Sequence, residues 1–241
     1  MEPTIHGGMR LRNGESEFHV AGGAAGIRIA LEMAMLIRLL PKSVFLLLLV
    51  GAVWLFMSGR AIRHPPGVLV ADAPAQKSIP AKSLGLVAGW HLTAVAEYHL
   101  RGRVLGTKRY YNDANADLVP FDVAVGWQRM SDQAVLDQFS ITMGNRFFFY
   151  EWSDQPAIPP DEIKVSAANN HVISANDEVR RVIRGLRGGQ ILKMHGYLVN
   201  AVGPEGRTWN SSLTREDTGN GACELFYVES AQAVNSLAEE M

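Results

Sequence analysis

The 241-residue chain has room for one or two domains, and its formal net charge of -1 excludes a global electrostatic pull toward nucleic acid or anionic lipid. A 47% apolar share suffices for a packed core, while a single cysteine excludes an intramolecular disulfide and a cysteine-based zinc site.

Residues 1–41 are Gly-rich at first and weakly patterned, and read as an N-terminal cytoplasmic segment. Met33 and Met35 stand just before the basic-then-apolar run "MLIRLLPKSVFLLLL" and are alternative starts. From Ser43 to Gly59 the chain reads "SVFLLLLVGAVWLFMSG", without a charge between Lys42 and Arg60. Crossing a bilayer takes about 20 helical residues with a floor near 17, and Arg38 can snorkel to lend the preceding turn. A core helix is rarely apolar on every face. The first small-x-small site, Ala71-Asp72-Ala73, lies too far downstream for signal-peptide cleavage. The expectation is therefore an uncleaved transmembrane helix over 42–59. Arg28, Arg38 and Lys42 before it balance Arg60, Arg63 and Lys77 after it. Because a short basic N-terminus ahead of a lone span usually stays cytoplasmic, a single pass through the inner membrane with a periplasmic remainder is expected. Residues 60–83, rich in proline and without helical period, read as a semi-extended linker.

Residues 84–230 read as an α+β domain, mainly antiparallel, with two or three short helices and the form of a partly closed barrel. "WHLTAVAEYHLRGRVLGTKRYY" predicts one long bent strand, or a hairpin turning near Gly102, with a bulge at Gly106. "NDANAD" is a loop, and "SDQAVLDQFSI" a helix capped by Ser131. "RFFFYEWS" is apolar on both faces and predicts a central covered strand; it lacks the interleaved basic residues of a base-stacking platform, so no nucleic acid is expected. One or two helical turns follow Pro160. "SAANNHVISAN" reads as a polar loop. In "ANDEVRRVIRGLRGG", Asn176 caps a helix whose stripe is Val179, Val182, Ile183 and Leu186, ending at Gly188-Gly189; Arg180, Arg184 and Arg187 read as its solvated face. "QILKMHGYLVNAV" is a strand turning at Gly203–Gly206 into "RTWN", "CELFYVES" closes the domain, and 231–241 is a flexible tail.

A helix, then Gly189-x-x-Leu192-x-x-x-Gly196-x-Leu198-Val199, then a return strand resembles part of the small Greek-key barrels of the oligonucleotide/oligosaccharide-binding kind, over about a fifth of the chain and without a specific motif.

Chemistry concentrates in "SSLTREDTGNGACE", Ser211 to Glu224. Cys223 needs a neighbouring imidazole to become thiolate; His171 is the partner that a polar loop would expose, and Arg215 the oxyanion donor. An anchor followed by histidine-before-cysteine in a β-rich domain resembles sortases and cysteine transpeptidases. Nothing basic follows Cys223, however, and "TGNGAC" carries no histidine or serine-glycine run. Against this stands a strand-opening cysteine used as apolar filler, with Asn220-Gly221 as a turn. The favoured expectation is a membrane-anchored envelope protein that binds a protein partner or an envelope ligand without catalysis. Asn169, Asn170, Ser211, Ser212, Asp217, Trp127 and Trp209 are its candidate binding residues, and a cysteine hydrolase or transpeptidase is the alternative. No phosphate-cradling glycine motif or repeat is present, and no histidine pair has metal-ligand spacing, so neither cofactor nor metal is expected.

Overall fold

The computed structural model describes residues 42–58, 60–215 and 222–240. The sequence readings of residues 1–41, Asp217 and the Asn220-Gly221 turn lie outside them. The chain divides into two units at Ala61.

In the first unit, helix α1 (Lys42–Ser58) has no acid in its first turn and no base in its last. Val44 to Val50 and Val53 are all exposed, Leu47 by 72% and Leu48 by 58%. Among the described residues, no helix is long and apolar enough to cross a membrane.

The second unit is a mixed α+β domain, mostly strand. Strand β1 (Ala75–Val87) turns through Ala88-Gly89 into β2 (Trp90–Arg109). Both turn residues are left-handed, the two-residue geometry that matches strand twist. The hairpin turn is therefore at Ala88-Gly89, and β2 passes through Gly102 as the single long bent strand. Its register with β3 slips between Val104 and Gly106, where a bulge was expected. Along one edge β2 pairs first with β1 and then, from Arg103, with β3 (Phe121–Gly126); along the other it pairs with β7 (Ile191–Val202) from His91 to Arg103. Strand β3 pairs antiparallel with β6 (Ala167–Ser174), β6 parallel with β9 (Glu224–Val234), and β9 antiparallel with β7. The pairings close a ring, β2-β3-β6-β9-β7 and back to β2, with β1 and β8 (Thr208–Asn210) as outer strands.

Alternation sends Tyr98, Leu100, Val123, Val125, Val172, Leu192, Leu198, Phe226 and Val228 into the ring. Helix α4 (Asp177–Arg184) adds Val179 and Ile183 to them, with Leu186 just beyond its end. Its Asn176 cap accepts from the Val179 amide at 2.9 Å, as expected, but the helix stops at Gly185. Each such large side chain, fully buried, contributes about 1.5–3 kcal/mol. A second cluster lies outside the ring, where Trp90, Leu92, Leu118, Val119, Ile173, Val199 and Leu225 meet the half-buried Trp209 and Tyr227.

Several expectations need correction. "RFFFYEWS" is not central: β5 (Phe147–Glu151) pairs with β4 (Ser140–Gly144) alone, as a separate hairpin. Its two apolar faces arise because Phe148 and Tyr150 join a third cluster around Met130, Ile158 and Ile163, while Phe147 and Phe149 remain half-buried on the other side. Helix α2 (Gln133–Leu136) is capped by Asp132, which accepts from Ala134. Ser131 is buried and takes the amides of Leu69 and Val70. Helix α3 (Pro160–Ser166) begins at Pro160 as read. What read as a loop from Ala167 is strand β6. The supposed tail begins inside β9, where Ala231 to Val234 pair with β7.

The expected linker also divides. Ala75 to Ser83 belong to β1, and the segment 61–70 is pinned to the domain: Ile62 N donates to Gly188 O at 2.7 Å, and His64 N to Gln133 Oε1 at 3.0 Å. Gly67 N donates to Asp132, and the Arg63 guanidinium pairs with Asp137 at 2.7 Å.

Candidate functional site

A polar centre sits on the outer face of β3 and β6. Asp122 and His171 are direct cross-strand partners there. Asp122 is fully buried within "PFDVAVG", and its Oδ1 takes His171 Nδ1 at 2.8 Å and Arg146 Nη1 at 3.2 Å. A carboxylate only accepts, so Nδ1 carries the proton and a neutral ring presents its lone pair at Nε2. Among the described residues, nothing hydrogen-bonds Nε2. Trp209 on β8 faces the imidazole with ring centroids 4.7 Å apart.

Arg146 arrives from the tip of the β4–β5 hairpin. Asn145 and Arg146 are both left-handed, at φ 51 and 68, a conformation that costs a long side chain energy and persists only when its surroundings hold it. Here they do. Arg146 N donates to the Tyr110 hydroxyl at 2.9 Å, its carbonyl accepts from Asn169 Nδ2 at 2.9 Å, and its guanidinium donates to Val119 O at 2.8 Å. The guanidinium also lies 3.8 Å from the Tyr110 ring centroid and donates to both oxygens of Asp113 at 2.7 Å. Burial works against the Asp113 anion, yet the hydrogen bonds from Arg146 and from the Asn115 amide outweigh it and hold the carboxyl below its ordinary range. Burial, with the charge of Asp122 behind it, pushes the Tyr110 phenol up to about 12, so it serves as a neutral hydroxyl.

The residues expected to be catalytic do not converge. His171 is buried in a strand and engaged by Asp122, not exposed on a loop. The Cys223 sulfur lies 3.8 Å from Asn169 Nδ2 and 3.9 Å from Arg146 O, with no hydrogen bond to His171 among the described residues. Burial, then the neighbouring Glu224 charge, pushes the thiol up to about 12, the reverse of activation. Arg215 pairs with Glu224, and its guanidinium lies 5.1 Å from the Tyr98 ring centroid and 5.5 Å from that of Trp127. It is a clamp over the ring interior, on the face opposite the thiol, because Asn169 beside Cys223 and Asn170 beside Glu224 project to opposite sides of β6. Thiolate fraction falls tenfold per unit of pKa, so alkylation of Cys223 in the folded chain at pH 8 is expected to run roughly a thousandfold slower than in denaturant. Timed maleimide labelling read by mass spectrometry checks this; equal rates would contradict it.

Most of the expected binding residues are engaged within the fold. Asn170 and Trp127 are fully buried, with Trp127 Nε1 donating to Val165 O at 3.0 Å. Ser211 Oγ accepts the Leu225 amide at 3.0 Å, and the Ser212 amide donates to Cys223 O at 3.1 Å, so both serines staple their loop to β9. Trp209 alone combines partial exposure with a place at the centre. Sequence reasoning missed Asp122, Arg146, Tyr110 and Asp113. The available signal was Asp122 itself, one acid inside an apolar strand, a position that demands a buried partner.

A second donor cluster, Glu97, His99 and His195, lies elsewhere on the ring, on β2 and β7. Comparison of the chain with protein-family models, curated proteins and solved structures finds no match.

Proposed function

We propose that this chain is a single-pass, N-terminally anchored envelope protein whose ring domain lies outside the cytoplasm and holds a protein partner or an envelope ligand without catalysis. The observation that carries the tether is α1, whose uncharged side chains are exposed from Val44 to Val50. Its 17 residues rise about 26 Å, close to the floor for a span, and the sequence ahead of it carries Leu36, Ile37, Leu39 and Leu40 around Arg38.

We read the ring as a partly closed barrel of the oligonucleotide/oligosaccharide-binding kind. In chain order its five strands close as first, second, third, fifth, fourth and back to first, with α4 between the third and the fourth. Such barrels bind on the face of strands two and three, between the loop after strand one and the loop before strand five. The corresponding face here is β3 and β6, with Tyr110 and Asp113 on one loop and Trp209 reached from the other. That is where Asp122, His171 and Arg146 meet. Asp113 and Asp122 neutralise Arg146 at the centre of this face, which supports a neutral or amphipathic ligand over nucleic acid.

Reporter fusions test the topology. A C-terminal alkaline phosphatase is expected to be active and a C-terminal green fluorescent protein dark; the opposite pair would refute the extracytoplasmic placement.

A further inference from the structure

The outer face of β2 and β7, remote in register from the Asp122 centre, holds a cluster with a different chemistry. Glu97 and His99 lie two residues apart on β2, and His195 stands directly opposite His99 on β7. Alternation therefore projects all three outward, while Tyr98 and Met194 point into the core. His99 Nε2 is 3.2 Å from Glu97 Oε1, and His195 Nε2 is 3.6 Å from the same oxygen. The imidazole centroids are 4.2 Å apart, and the three donor atoms all fall within 4.8 Å of one another. Metal–ligand bonds of about 2.0–2.2 Å at tetrahedral angles separate donors by about 3.4 Å, so two of the three spacings already suit a shared cation.

The strand beside them is shaped to support this arrangement. Register between β7 and β9 slips between His195 and Gly196, and a Cβ on Gly196 would stand 2.0 Å from Tyr227 O, so only glycine permits the approach. The extra residue on β9 at this bulge is Glu229, whose Oε2 lies 3.9 Å from His195 Nδ1. At that distance Glu229 is an electrostatic neighbour and not a hydrogen-bond partner; its charge on that side favours the proton on Nδ1 and leaves Nε2 as the ligand atom, and a carboxylate is the usual second partner of a metal-bound histidine. His99 and His195 themselves line a groove of 520 Å³, together with Asp72, Arg101, Lys193 and Ser230 among others.

We propose that Glu97, His99 and His195 form a binding site for a first-row divalent transition metal, zinc above all, with Glu229 orienting His195 and one position left for water or a ligand oxygen. Two imidazoles and a single carboxylate suit zinc, cobalt, nickel or copper; calcium and magnesium want a cage of oxygens. Sequence spacing hid the site because the second histidine comes from β7, not from His91 on β2. The proposal does not depend on α1 crossing a bilayer.

The test uses the full chain, purified in detergent without a polyhistidine tag and stripped with chelator. Zinc is titrated calorimetrically, and cobalt by its visible d–d absorption. One equivalent is expected, with affinity reduced at least tenfold in Glu97→Gln, His99→Gln and His195→Gln, about tenfold in Glu229→Gln, and unchanged in His91→Gln. Circular dichroism and melting of each metal-free variant establish that the fold is retained, since these side chains are between 35% and 55% exposed. Absence of stoichiometric uptake, or uptake that survives in the His99→Gln/His195→Gln double variant, would overturn the proposal.

Discussion

Asp122→Ala is expected to destabilise the domain by about 3–5 kcal/mol, the range for removing one partner of a buried charge pair. The carboxylate is fully buried and accepts from both His171 and Arg146. Without it the His171 Nδ1–H loses its acceptor inside the protein, and the guanidinium, whose side chain is only 16% exposed, loses one of its two carboxylates and keeps Asp113 and the Val119 carbonyl. The hairpin tip would loosen with it, because Arg146 holds its left-handed backbone through contacts around the same centre. Asp122→Asn preserves shape and one acceptor but not charge, and should cost less, about 1.5–3 kcal/mol, as for a hydrogen bond to a charged group. Urea unfolding of the two variants measures both, and a cycle with Arg146→Ala should return a coupling above about 1 kcal/mol. A cost for Asp122→Ala below about 1 kcal/mol would show that the centre does not hold these elements together.

The second large effect concerns Gly189. Its φ of 88 is already unfavourable for a side chain, and a Cβ there would lie 1.9 Å from Ile62 O and 2.8 Å from Ile62 C. Neither side can yield cheaply. Ile62 N is bonded to Gly188 O, and the Gly189 carbonyl is 2.7 Å from His64 Nε2. Gly189→Ala must therefore displace the segment 61–70 from the domain, with an expected loss of about 3 kcal/mol or more. The specific readout is proteolysis: cleavage within 61–70 should accelerate in Gly189→Ala while the ring, judged by near-ultraviolet dichroism, persists. Gly185→Ala is the control, since its Cβ would meet Arg181 O at an ordinary 3.5 Å. Unchanged cleavage in Gly189→Ala would contradict the packing described.

These two positions also mark where the sequence was legible and where it was not. Helix α4 could be read because its signals are local: Asn176 caps, acids open the first turn, and an apolar stripe recurs at helical spacing. The β7–β8 hairpin and the start of α3 at Pro160 were legible for the same reason. Strand β6 was not. "AANNHVIS" carries polar side chains that on their own suggest a loop, and only partners from β3 and from the β4–β5 turn make them compatible with burial. The same gap explains the candidate site. Cys223 and His171 drew attention by residue type, yet the folded chain gives the thiol to Asn169 and the imidazole to Asp122. Arg146 could not be singled out before its hairpin was known to point at β6. Segment 61–70 looked like a spacer because its prolines and lack of period are local features, whereas the hydrogen bonds that seat it come from residues 128–137 and 188–189.

Membrane partition of the intact chain tests the proposed function most directly, because the proposed tether would determine which ligands the β3–β6 face can meet. After cell breakage the full-length protein should sediment with membranes, resist high salt and alkaline carbonate, and enter solution only with detergent. Recovery of the unprocessed chain in the soluble fraction without detergent would contradict the account.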